Sequence, residues 1–140
     1  MDARPDKAKQ LLFQTKLRPQ PELTSVPRRY HLLLNKSHSA VSRYATLTHE
    51  LGHLYAGHLG SPSEKWWPNR SGLDLNTREF EAESICYLVC GRLGIANPSA
   101  EYLSGYFKEN AEVPDISLDC VMKATGLIEQ MGRGRLALRR

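Results

Sequence analysis

In Thr48-His49-Glu50-Leu51-Gly52-His53, two imidazoles stand four residues apart with a carboxylate between them. No other stretch constrains the fold as tightly, because residues i and i+4 share a face only where the backbone is helical. The flanks agree. Val41, Tyr44, Ala45, Leu47, Leu51, Leu54 and Tyr55 recur at helical spacing, which predicts a helix from Ala40 to about His58. The polar turn "KSHS" (36–39) offers a serine cap, and Gly57 and Gly60 help to end the helix. On such a helix His49 and His53 can both reach one zinc ion. Glu50, rotated by about 100° from His49, lies beside that ion without ligating it. Its carboxylate is then a candidate catalytic general acid/base, able to take a proton from metal-acidified water and pass it to a leaving amine. Gly52 removes a side chain where a neighbouring segment or a substrate could approach.

Two histidines do not hold a catalytic zinc; a third protein ligand is needed, with the fourth position left for water. The extended pattern HExxHxxGxxH fails, since Ala56 occupies its glycine position and Leu59 its last histidine position. His58 is one residue out of register, so it is set aside as a ligand and kept as a residue flanking the site. A later helix, from Thr77 to about Leu93, opens with Glu79-Phe80-Glu81-Ala82-Glu83. Glu79 is the candidate third ligand. Glu83, on the same face and about 6 Å further along the axis, can accept the second N–H of a ligating histidine. Glu81 points elsewhere. The competing use of Glu79 is a capping box with Asn76 as the cap, but three acids in five residues exceed what capping requires.

The rest of the chain frames this pair of helices. Residues 1–27 read as an N-terminal helix (5–17) and a proline-rich connector, 28–131 as the main domain, and 132–140 as a basic tail. "RRYHLLLN" (28–35) reads as a strand whose exposed edge could pair with an extended substrate. Residues 59–76 form a loop carrying Trp66 and Trp67, which either pin it to the body or line a groove. Two further helices follow, one in "NPSAEYLSGYFKE" with Asn97 as cap and one in "DISLDCVMKATGLIEQMG". One strand and four or five helices predict an α+β fold, mostly helical, with a small β-sheet preceding the active-site helix.

Charge and cysteines narrow the setting. The net charge of +4 is concentrated in "GRGRLALRR", with four arginines and no acid, so nucleic acid is suggested only weakly and only by the tail. Cys86, Cys90 and Cys120 are an odd set, which argues against a disulfide framework and for a reducing compartment. No apolar run reaches the ~20 residues of a membrane span. The expectation is a cytoplasmic protein with no membrane partner.

"RYATLTHELGH" (43–53), followed by "REFEAESICYLVCGRLG" (78–94), resembles the ImmA/IrrE-type zinc metallopeptidases, a family of HExxH zincins. The likeness runs from Tyr30 to about Tyr106. HExxH is shared by many zincins; its pairing with an EFEAE helix at this distance is much more specific. The resemblance implies a compact zincin-like fold and a zinc metallo-endopeptidase that cleaves DNA-binding regulators such as helix-turn-helix repressors. Carried over residue by residue, His49, His53 and Glu79 match the metal ligands, and Glu50 matches the general acid/base. Arg43 matches a basic residue ahead of the motif, without an assigned role. Glu83 stands where the family often has Asn or Asp. The loop "WWPNRSGLDLN" also resembles metallopeptidase domains of antirestriction and polyvalent proteins of mobile elements. His31, His38, His58, Tyr55 and Arg70 are the candidates for stabilising an oxyanion or contacting substrate. The alternative readings are a non-catalytic, zinc-stabilised interaction module of a mobile element, and a metal-free interaction protein.

Overall fold

The computed structural model describes residues 29–96, 99–108, 112–135 and 139. Contacts divide the chain into Met1–Leu33 and Leu34–Arg140, and the helices described below all belong to the second unit. The N-terminal helix and the connector expected over residues 1–27 lie outside the described residues.

Ser39 opens α1 (Ala40–Tyr55) by accepting the Ser42 amide on its hydroxyl at 3.2 Å. The helix ends short of His58 because Gly57 turns the chain with φ +79. Asp74, not Asn76, caps α2 (Leu75–Arg92), accepting the Thr77 amide at 2.8 Å and its hydroxyl at 2.9 Å. Glu79 therefore sits more than a turn inside α2, and its carboxylate is not used in a capping box. The helix α3 covers Ser99–Lys108; the cap expected at Asn97 is outside the described residues. Ser117 caps α4 (Leu118–Arg133) through the Cys120 amide at 3.2 Å.

The expected β-sheet is not there. Among the described residues there is no strand, only an isolated bridge at His31. The 29–35 run contains no Val, Ile or Thr, and its consecutive leucines give no alternating apolar face; Leu33 is 60% and Leu34 39% exposed. Among the described residues no strand lies beside the run for it to pair with. Among the described residues the fold is helical rather than α+β, and no edge strand for pairing with substrate is found there.

α2 is the central helix, packed against α1, α3 and α4. Its residues Phe80, Ala82, Ile85, Cys86, Val89 and Cys90 are all buried. α4 presents Val121, Ala124, Thr125 and Ile128, spaced i, i+3, i+4, i+7, to the same core. α1 and α2 meet closely at Gly52, where a Cβ would stand 3.3 Å from three atoms of Ile85. Burying Ile85 completely is worth about 1.5–3 kcal/mol. This approach sets the spacing of the two helices at the level of the histidines, Gly52 standing between His49 and His53 in the sequence. Alongside, Cys86 and Cys90 are buried against Ala45, with the Thr48 hydroxyl 3.3 and 3.7 Å from their sulfurs. Burial pushes the Cys90 thiol up to about 11, which keeps it unreactive.

The loop between α1 and α2 folds back on its own start. The Arg70 amide donates to the Gly57 carbonyl at 2.8 Å, and Trp67 is pinned by a 3.0 Å bond from its indole N–H to the Gly60 carbonyl. Trp67 also meets the Tyr55 ring edge-on at 5.4 Å, and the Arg139 guanidinium lies over both rings. A Cβ at Gly57 would fall 2.0 Å from the Pro68 carbonyl oxygen. Gly57→Ala is therefore expected to cost more than about 2 kcal/mol, from the left-handed backbone and the clash together. Thermal melting reads this; an unchanged midpoint would show that the loop yields freely. Among the described residues no helix is long and apolar enough to cross a membrane.

Candidate metal centre

α1 and α2 bring His49, His53 and Glu79 to one point. Their ligand atoms all lie within 4.8 Å of one another. The two Nε2 atoms are 3.1 Å apart, and the Glu79 oxygens stand 3.3 Å from His49 Nε2 and 3.1 Å from His53 Nε2. Donors about 2.0–2.2 Å from a tetrahedral zinc are separated by about 3.3–3.6 Å; the two imidazole nitrogens are slightly closer than that, and Glu79 meets each through a different oxygen, so the cluster is near the size such an ion needs. Two imidazoles and one carboxylate are also a donor set that suits zinc.

The outer nitrogens of both rings are engaged. His49 Nδ1 lies 3.1 Å from Glu83 Oε1, and His53 Nδ1 lies 2.8 Å from His58 Nδ1. A neutral imidazole carries one proton. If each ring spends it on the outer partner, both Nε2 lone pairs and the Glu79 carboxylate face the same spot. Three acceptors converging in this way could hold a cation between them. His53 is suited to this state: burial, with His49, His58 and Arg78 adding to it, lowers its pKa to about 3 and keeps the ring neutral. For His49 burial works the other way from its neighbours, and Glu83, Glu79 and Glu50 outweigh it and raise its pKa. Burial also opposes the Glu83 carboxylate, but hydrogen bonds from His49 and Ser99 hold it below its ordinary value.

Glu81 turns to the opposite side of α2 from Glu79 and is completely buried. Its Oε1 lies 2.7 Å from His58 Nε2 and 2.8 Å from Arg70 Nη1; its Oε2 accepts Arg70 Nη2 at 2.7 Å and the Ser117 amide at 2.8 Å. Burial would raise this carboxylate, yet His58, Arg70 and the Ser117 amide hold it down to about 2. The hub joins the end of α1, the loop, α2 and the start of α4. Sequence reasoning left Glu81 without a role. The signal was present: Glu81 falls on the stripe Thr77, Glu81, Ile85, Val89, and an acid on an apolar stripe needs buried partners.

The same contacts relocate three residues named as oxyanion or substrate candidates. His58 is 2% exposed and faces His53 and Glu81. Arg70 is spent on Glu81 and on the Ala56 carbonyl at 3.0 Å. Tyr55 is buried, its hydroxyl 3.2 Å from Met131 Sδ. All three have structural partners. Glu50 sits between the ligands on α1, half-buried, its charge felt at His49. Beside His49 and Glu79 opens a cleft of about 530 Å³, lined also by Glu83 and walled by His38, Ser39, Ser42 and Thr46. Comparison of the chain with protein families, curated proteins and solved structures finds no match.

Proposed function

We propose that the chain is a zinc-dependent metallo-endopeptidase of the ImmA/IrrE type, acting on a protein or peptide such as a helix-turn-helix repressor. The observation that carries this reading is the convergence of two imidazoles and one distant carboxylate within 4.8 Å of one another beside an open cleft. A zinc ion bound there would acidify a water and polarise a peptide carbonyl. Glu50 takes the proton released as the water oxygen bonds to the carbonyl carbon. It then delivers that proton to the amine nitrogen as the C–N bond breaks. Glu83 holds the His49 ring in its ligating orientation. The small, neutral side chains of Ser39, Ser42, Ala45 and Thr46 leave room for a substrate side chain next to the ligands, and His38 is the sequence-named imidazole that lines this cleft.

The direct test is metal content. Protein purified without chelator or affinity tag should carry about one zinc per chain, and Glu79→Ala should carry less than about 0.2. Wild-type protein free of zinc and unable to take it up would sink the proposal.

A further inference from the structure

A ligating histidine usually gives its second N–H to a carboxylate, a carbonyl or a water. His49 follows that habit with Glu83. His53 does not: its Nδ1 meets another imidazole, His58 Nδ1, at 2.8 Å. Two imidazole nitrogens at that distance share one proton, so one ring donates and the other accepts. Which way it runs is decided at the far side of His58. Its Nε2 lies 2.7 Å from Glu81 Oε1, a carboxylate already held by Arg70 and by the Ser117 amide, all on the acceptor side. An ionised carboxylate can only accept, so the His58 proton stays on Nε2. In the neutral His58 ring Nδ1 is then a lone pair, and the shared proton sits on His53 Nδ1. That leaves His53 Nε2 bare and aimed at His49 Nε2 and Glu79.

We infer that His58, fixed by Glu81, is a positioning residue that sets the tautomer of His53 and so makes its Nε2 a metal ligand. The inference rests on the metal centre proposed above. The burial of the relay protects it, since His58 is 2% and Glu81 0% exposed and water has little access to compete for these bonds. His53 thus receives the influence of Glu81 through an intervening ring, whereas His49 has its carboxylate directly.

The test compares His58→Phe with His58→Asn. Phenylalanine keeps the ring volume and removes the acceptor; asparagine loses volume and can place its Oδ1 where Nδ1 stood. The positioning role predicts that His58→Phe weakens zinc binding, read by chelator competition, by about 10- to 100-fold and alters the visible spectrum of the cobalt-substituted protein. His58→Asn should recover most of the affinity. A merely structural role predicts the reverse order. In zinc-loaded wild type, long-range proton–nitrogen NMR should find His58 protonated on Nε2 alone and His53 on Nδ1 alone, a measurement that stands even if a variant fails to fold. If wild type binds zinc and His58→Phe binds it equally well with an unaltered cobalt spectrum, or if His58 carries its proton on Nδ1, this inference is overturned and the metal centre stands. Wild type that binds no zinc overturns both.

Discussion

Glu50→Gln is expected to slow hydrolysis by about 10²- to 10⁴-fold while leaving the fold and zinc content intact. Glutamine matches glutamate in shape but is a far weaker base, so it cannot take the proton of the attacking water. Glu50 is not among the residues whose atoms meet at the metal point, so the ion should remain. Its charge does act on His49, but Glu83 and Glu79 act there more strongly. The measurement is cleavage of a quenched-fluorescent peptide library by wild type and variant at matched zinc loading. Equal rates in the two proteins would remove Glu50 from the reaction. The variant also separates the peptidase from a zinc-stabilised docking module, which has no need for this carboxylate and would lose nothing.

The largest effect on stability is expected from Glu81→Ala. The carboxylate is fully buried and answers Arg70, His58 and the Ser117 amide at 2.7–2.8 Å. Removing it strands a guanidinium, an imidazole N–H and a backbone N–H, a loss of about 3–5 kcal/mol. For a chain of this length that is a fall in melting temperature of roughly 10–15 °C. The same carboxylate makes the fold acid-sensitive. Its pKa is about 2 when folded against an ordinary 4.5. Because the folded value is depressed, the stabilisation is complete above the unfolded value and is lost as pH falls from about 4.5 towards 2. It amounts to about 3 kcal/mol at neutral pH. Denaturant unfolding of the metal-free protein across that window, with Glu81→Ala beside it, isolates the contribution. A wild-type stability that falls no faster than that of the variant would show that Glu81 is not held as the geometry indicates.

Much of the site could be read before any coordinates. His49 and His53 had to share a face once Val41 to Tyr55 repeated at helical spacing, and Glu79 and Glu83 likewise one turn apart on α2. One misreading has a physical cause. "RYHLLLN" looked like a strand because it is apolar and short, yet a strand exists only with a partner, and none is found among the described residues. For His58, Arg70 and Tyr55, whose side chains can donate hydrogen bonds, the sequence left the partners open. Nothing in a linear order tells whether such a donor faces a cleft or a buried acid.

What the sequence by itself determined is local: which side chains lie on one face of one helix, since a turn of 3.6 residues is a property of the backbone. Only the tertiary structure decided that Gly52 and Ile85 pack tightly enough for Glu79 to reach both rings. It alone assembled His53, His58, Glu81 and Arg70 into a buried chain of hydrogen bonds. Those contacts join residues from α1, its following loop and α2, and they form because charged groups removed from water must find one another.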